Sequence, residues 1–448
     1  MTSFEGSLEA PTRHPIDWKN PEYYDEGKIL AEAERIFDIC HGCRRCVSLC
    51  NTFPTLFDLV DEGKSGELDG VPKEKYWDVF DQCYLCDLCY MVKCPYVPPH
   101  PWNVDFPHTM LRAKAYQFTN GKLKHPTRDR TLSSTDRNGK LATIPVVVQF
   151  VNAAAKSKPM RALGEKAMHV HKDAWVPEFA AHKFRSSAAP SKPHAVRDGE
   201  RTPGKVAIFS TCYVNYNEPG IGHDLLKLLD HNEVPYVLAE QEACCGMPKL
   251  ENGDLEEVER LKAKNIPQLA RLARAGYAIV TPVPSCTLMF KQELPLLFPH
   301  EEDVALVRDA MFEPFEYLMA RSRDGLLKSD FQRPLGRVAY HMPCHERVQK
   351  IGSKTREALE SVPGTEVLTV ERCSGHAGTW GVKQEFHEAA LKIGRPVFRQ
   401  VAEFHPDFFA SDCPMAGHHI AEGLGDNRGK AQLHHPITLF RMAYGLPD

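Results

Sequence analysis

No stretch of this 448-residue chain is apolar enough to cross a membrane as a helix. A spanning helix needs ~18–20 apolar residues. The most apolar run, Ile144 to Ala155, has twelve residues and is interrupted by Pro145, Gln149 and Asn152. The opening residues, Met1 to Asn20, are polar and proline-broken, without the apolar segment of a secretory leader. No G-x-G-x-x-G follows an expected strand and no Walker A sequence occurs, so neither phosphate-cradling fingerprint is available. Charge of one sign is also lacking. Lys plus Arg is 55, Asp plus Glu is 59, and the net charge is −4. Without a basic field there is nothing general to hold a phosphate backbone, and nucleic acid is not an expected partner. The basic stretch around Arg128, Arg130, Arg137 and Lys140 reads as a solvated face. These absences point to a protein that is not integral to a membrane and lies in the cytoplasm, at most peripheral to the membrane through a partner.

The composition is otherwise ordinary and globular, with 42% hydrophobic and 25% charged residues. At ~150 residues per domain, the length predicts about three domains. What stands out is 15 cysteines. The chain is too long for a small disulfide-stapled scaffold, and the count is odd. In a reducing compartment, clustered thiols point to metal or catalysis. Eight lie between Cys40 and Cys94, none between Cys94 and Cys212, and seven are spread from Cys212 to Cys413.

That distribution divides the chain. Residues 21–118 read as mainly helical, with Ile29, Leu30, Ala33 and Ile36 on one face of a helix over Tyr23–Phe37. Residues 119–185 read as a mostly helical connection. Residues 186–204 are rich in Ser, Pro, Lys and Gly without periodicity, which is a linker signal. Beyond it, apolar strands at Val206–Phe209, Tyr236–Leu238 and Ala278–Val280 alternate with helices at Pro219–Asp230 and Leu255–Arg274. The order recurs: strands at Val338–Tyr340, Val367–Val370 and Phe408–Ala410, helices at Lys354–Ser361 and Gln384–Glu403. Such alternation predicts parallel βαβ units. Cys212 and Cys344, Cys244 and Cys373, and Cys286 and Cys413 follow matching strands at offsets of 132, 129 and 127. Nearly constant offsets predict a tandem duplication, residues 205–330 and 331–448. Sites in open α/β sheets form beyond the carboxyl ends of the strands, so each trio should converge. The fold class is therefore α+β and multidomain: an N-terminal all-α module that carries the first eight cysteines, then tandem α/β repeats.

The first cysteine run is C-x2-C-x2-C-x3-C over Cys40, Cys43, Cys46 and Cys50; the second is C-x2-C-x2-C-x4-C-P over Cys83, Cys86, Cys89, Cys94 and Pro95. In such runs the fourth cysteine ligates the other cluster. This predicts one [4Fe–4S] cluster on Cys40, Cys43, Cys46 and Cys94, and a second on Cys83, Cys86, Cys89 and Cys50. Zinc is the competing reading, but zinc favours two separated pairs of ligands. Asn51 stands where a proline usually follows the fourth cysteine, and the second run has one extra residue before Cys94. The 32 residues between Cys50 and Cys83 lack strand alternation, which favours a helical ferredoxin module.

The α/β repeats add Cys212, the pair Cys244-Cys245 before Gly246, and Cys286; then Cys344-His345, Cys373-Ser374-Gly375, and Cys413. A lone cysteine is usually a small buried hydrophobe, but thiols at matching strand ends read as a ligand set. With these motifs the chain resembles iron–sulfur proteins built from a two-cluster ferredoxin followed by two CCG (cysteine-rich) domains. Heterodisulfide reductase-related proteins and the iron–sulfur subunits of anaerobic glycerol-3-phosphate dehydrogenase and of glycolate oxidase are of this kind. The resemblance covers residues 30–110 and 205–440 and leaves 111–204 unexplained. It implies cysteine-ligated centres in the repeats that pass or use electrons. The chain departs from that pattern at two points. Cys286 has Val283 and Met289 three residues either way, and Ser374 replaces the second cysteine of a pair. The first repeat thus offers four thiolates and the second three; the second site is either completed by a histidine, His345 or His376, or vestigial. His341 and His418 also flank cysteine positions.

Three readings follow. The first is an iron–sulfur electron-transfer component of an oxidoreductase, with two [4Fe–4S] clusters and a further iron–sulfur cluster or zinc in the CCG domains. Its partners would be redox proteins, such as a flavoprotein dehydrogenase or another electron donor or acceptor. The second is a thiol/disulfide reductase acting at the CCG-domain centre, where thiolates near helix N-termini have lowered pKa. The third is a zinc-bearing scaffold protein. The missing cysteines weaken the second reading and the ferredoxin-like runs weaken the third.

Overall fold

The computed structural model describes residues 6, 7 and 9–448. The reading of Met1–Asn20 as free of a leader falls partly on residues 1–5 and 8, outside the described residues. Among the described residues no helix is long and apolar enough to cross a membrane.

The N-terminal part is helical. Helix α1 (Glu26–Cys43) begins where the Asp25 side chain accepts the backbone N–H of Lys28, and it buries Ile29, Ala33, Ile36 and Phe37. It runs further than its apolar stripe predicts and carries Cys40 and Cys43 on its last turn, ending at Arg44 with φ 51°. Helices α2 (Thr52–Asp61), α3 (Tyr76–Gln82) and α4 (Phe106–Thr119) pack on it. Aromatic rings fill the junction: Phe37 lies 5.1 Å from Tyr76 and Phe53 4.8 Å from Phe106, centroid to centroid. The core is thus closed by side chains at helical spacing, without a sheet.

Four helices follow: α5 (Pro126–Leu132), α6 (Thr135–Ala142), α7 (Val147–Lys156) and α8 (Lys158–Met168). The basic stretch here is not one solvated face. Arg130, Arg137 and Lys140 are exposed, but Arg128 is buried. Its guanidinium forks onto Glu385 at 2.7 and 2.8 Å, while Asp129 pairs with Lys383 at 2.9 Å. Both partners lie more than 250 residues away in sequence, and that separation hides them from any local reading. A short helix, Phe184–Ser187, takes the first two residues of the stretch 186–204, and residues 188–205 form no helix or strand. They are nonetheless fastened down: Tyr317 donates to the Pro203 carbonyl at 2.7 Å and Glu200 N–H to Asp324 at 3.0 Å.

The rest of the chain builds two four-stranded parallel sheets. Strands β1 (Val206–Ile208), β2 (Tyr236–Leu238), β3 (Ala278–Val280) and β4 (Met311–Phe312) take the order β2-β1-β3-β4. Strands β5 (Gly336–His341), β6 (Thr365–Val370), β7 (Phe408–Ser411) and β8 (Gln432–His434) take the order β6-β5-β7-β8. The two orders are the same, strand for strand. The sequence pattern missed the edge strands β4 and β8, which are too short and too mixed to show a period. The long helices match as well. α9 (Leu255–Arg274) carries Pro267 inside it and α10 (His387–Phe404) carries Pro396, at the same offset that separates Cys244 from Cys373. Gly246 and Gly375 sit at φ 104° and 86°, each two residues after one of those cysteines. Only a residue without Cβ adopts such angles freely, and at Gly375 a Cβ would meet the Ala390 carbonyl oxygen at 2.0 Å.

Candidate metal centres

The N-terminal thiols fall into two groups. Cys40 and Cys43 come from the end of α1, Cys46 from the turn after it, and Cys94 from the far end of the second run. Burial, then the neighbouring thiols Cys94, Cys46 and Cys43, pushes Cys40 well above the ordinary thiol range. Burial followed by Cys94 and Cys43 raises Cys46 to about 12. Cys50, Cys83, Cys86 and Cys89 line one void, walled by Leu49, Phe53 and Phe106. Burial raises Cys83 to about 12. Cys89 is raised by burial and then by Cys86 and Cys46, so the two groups feel each other. Thiols that face one another in this way are a donor set whose protons a bound cation would displace.

In the first repeat the four thiols form a chain of sulfur contacts, Cys212 to Cys244 to Cys245 to Cys286. They follow β1, β2 and β3. Cys244 is lowered, chiefly because Cys212 and Cys245 both donate to it. The group is covered by α6, from the region the sequence left without a role. Thr135 Oγ1 donates to Cys244 Sγ at 3.3 Å, and Asp136 accepts the Cys244 backbone N–H. Asn265 holds the same loop, accepting from Ala243 N–H and donating to the Cys244 carbonyl, both at 3.0 Å.

In the second repeat Cys344 contacts Cys373, and it also contacts Cys86 of the N-terminal part. Donation from Cys344, opposed by burial, leaves Cys373 at about 6. Tyr84, between Cys83 and Cys86 in sequence, places its hydroxyl 3.3 Å from Cys373 Sγ. Cys413 stands at the N-terminus of a helix (Pro414–Leu424), where its sulfur accepts backbone N–H groups of Ala416 and Met415 and burial raises it to about 12. Cys344, Cys373, Cys413 and Cys86 all line one cavity of about 70 Å³, together with Tyr84, His345 and His376.

The histidines separate by what they already hold. His345 Nδ1 sits 2.8 Å from Ser285 Oγ, and its ring also bonds the Leu85 backbone. It therefore ties the first repeat to the second and to the N-terminal part. His341 is engaged at both nitrogens, by Ser411 Oγ at 3.0 Å and the Arg372 carbonyl at 2.9 Å. His418 faces outward, 2.6 Å from Glu218 and stacked on Trp175 at 4.3 Å. His376 differs: its Nε2 is buried without a hydrogen-bond partner on the cavity wall, and burial lowers it to about 3.

Among the described residues, no three His, Cys, Asp or Glu side chains are grouped so as to hold a single metal ion. In a cubane each thiolate takes its own iron, so the sulfurs need not meet at one point. The residues fit that demand in the N-terminal part, where each group supplies four thiols; the Asp87 carboxylate also lines the second void but is held by Arg13.

Paired parallel sheets with cysteines beyond their strand ends define a duplicated cysteine-rich α/β protein. Residues 206–291 and 338–421 each match the CCG cysteine-rich domain, and the chain belongs to that family. It is 29% identical to a subunit of the anaerobic glycerol-3-phosphate dehydrogenase of Escherichia coli (strain K12) over 350 residues, 77% of this chain and 83% of that one. It is 28% identical to a subunit of the fumarate reductase (CoM/CoB) of Methanothermobacter marburgensis over 253 residues, 55% of this chain and 48% of that one. Lactate utilization protein A of Bacillus pumilus is 30% identical over 184 residues, 40% of this chain and 75% of that one.

Proposed function

We propose that this chain is the iron–sulfur electron-transfer component of a multi-subunit oxidoreductase. Its relatives carry the names of dehydrogenase and reductase subunits. Cys40, Cys43, Cys46 and Cys94 would hold one [4Fe–4S] cluster, and Cys50, Cys83, Cys86 and Cys89 the second. When bound, each cluster takes up and gives back one electron at a potential set by its surroundings. The residues supply an order. Cys46 acts on Cys89 through its charge, Cys86 contacts Cys344, and the Ser285–His345 bond joins the residue beside Cys286 to the residue beside Cys344. The sites therefore run from the first N-terminal group to the second, then to the second repeat, then to the first repeat. The observation that carries this reading is the contact of Cys86 with Cys344, because it ties the ferredoxin-like part to the CCG part at a ligand.

The two repeats would differ. The first has four linked thiols, a complete shell. The second has Cys344, Cys373 and Cys413, and His376 is the group free to complete it, since His345 is already bonded. Its cavity is where a partner's small redox group would reach. Cys245→Ser should strip the metal of the first repeat, whereas His376→Ala should leave the first repeat loaded and lower the metal retained by the second. Metal analysis of the anaerobically purified variants checks this. If His376→Ala retains full metal while His345→Ala loses it, the assignment of the completing histidine is wrong.

A further inference from the structure

The two repeats share a contact that neither makes with its own residues. Cys244 and Cys373 occupy the same place after the second strand of their sheets. Each accepts a backbone N–H from the glycine two residues on: Gly375 lies 3.4 Å from Cys373 Sγ, and Gly246 serves Cys244. Each also meets one hydroxyl brought from outside the repeats at the same distance. Thr135 on α6 reaches Cys244 at 3.3 Å, and Tyr84 reaches Cys373 at 3.3 Å. The two hydroxyls come from unrelated segments, one a connecting helix and one a cysteine run. The duplication therefore did not supply them together. A metal-bound thiolate has no proton, so in the loaded protein both hydroxyls are the donors.

Neither hydroxyl is loosely placed. Tyr84 is buried, its ring 5.2 Å from Trp380, and Trp380 is itself fixed by donating to the Asp81 carbonyl at 3.1 Å. Thr135 is held beside Asp136, which grips the Cys244 N–H. A hydrogen bond to a ligating sulfur withdraws electron density and favours the reduced, more negative state of the centre. We propose that Tyr84 and Thr135 are positioning residues that raise the reduction potentials of the centres held by the second and first repeats, so that electrons arriving from the N-terminal clusters are drawn into the repeats. This rests on the repeats holding redox-active cysteine-ligated centres, as proposed above. The effect works through the hydrogen-bonded sulfur.

The test uses the full chain, loaded and purified anaerobically, with Tyr84→Phe and Thr135→Val. Both substitutions keep size and packing and remove one O–H. Signals are first assigned by their loss in Cys373→Ser and Cys244→Ser. In an EPR-monitored redox titration, Tyr84→Phe should shift the Cys373-dependent midpoint to more negative potential and leave the other signals in place. Thr135→Val should do the same for the Cys244-dependent signal alone. Iron and sulfide content should equal the parent's in both. An unchanged midpoint at unchanged iron content overturns the inference while the reading of the function stands. Loss of iron in either variant would mean a structural role and also overturns it. If the parent protein shows no signal that depends on Cys373 or Cys244, the reading of the repeats fails and the inference falls with it.

Discussion

Arg13→Ala should destabilise the folded chain by about 3–5 kcal/mol, the cost of leaving buried charges without their partner. The Arg13 side chain is 7% exposed, and its guanidinium meets Asp87 at 2.5 and 3.1 Å, Asp105 at 3.1 Å and Glu293 at 3.7 Å. Asp87 lies inside the second cysteine run, Asp105 caps α4 and Glu293 belongs to the first repeat. Removing Arg13 leaves Asp87 without a cation and leaves Asp105 and Glu293 only His108, across the seam between the N-terminal helical part and the CCG part. Gln292 adds a bond to Asp87 at 2.9 Å but brings no charge. Urea denaturation should show the loss as a lowered midpoint, and Arg13→Lys, which keeps the charge but not the fork, should fall between. The same network carries a pH dependence. His108 stands 3.1 Å from Asp105 and 3.6 Å from Glu293. Burial and Arg13 oppose its charge, but these carboxylates hold it up to about 9. A raised pKa contributes stability that is whole below the unfolded value, ~6.5, and is lost as pH rises through about 9. Stability should therefore decline over that window, and His108→Gln should flatten the slope. Parent-like stability in Arg13→Ala would mean that the seam is held elsewhere.

Cys86→Ser should have the largest effect on the metal centres. Cys86 lines both the void of the second N-terminal group and the cavity of the second repeat. It is one side chain at two sites. A lost supporting partner costs a metal site ~10–100-fold in affinity, and a lost ligand should cost more. About four irons per chain should go with it. Reduction of the repeats through the N-terminal clusters should fail as well. Cys43→Ser provides the contrast, since it removes a proposed ligand from the far group only. It should cost a similar amount of iron but leave the Cys86–Cys344 junction in place. Equal damage to the reduction of the repeats in both variants would deny Cys86 its place at the junction.

Much of this arrangement is legible in the sequence because it is local or periodic. The strands over Tyr236–Leu238 and Ala278–Val280 and the helix over Leu255–Arg274 fall where the apolar pattern puts them. The duplication is visible because thiols, helix prolines and turn glycines recur at nearly one spacing. The hidden part is long-range. Tyr84 meets Cys373 across 289 residues and Thr135 meets Cys244 across 109. Nothing in the Cys83-Tyr-Leu-Cys86 spacing says where the tyrosine points. Likewise Arg128 looks like any surface arginine until the fold brings Glu385 to it. Helix α6, silent in sequence, proves to cover Cys244 of the first repeat.

The central claim is that cysteines on both parts of the chain hold iron–sulfur clusters in one connected series. Iron and acid-labile sulfide, measured on anaerobically purified full-length protein together with EPR of its reduced form, test it most directly. The account predicts about eight irons with matching sulfide from the two N-terminal groups, further metal from the repeats, and signals that interact because the groups adjoin. Zinc in place of iron, or no sulfide, would contradict it.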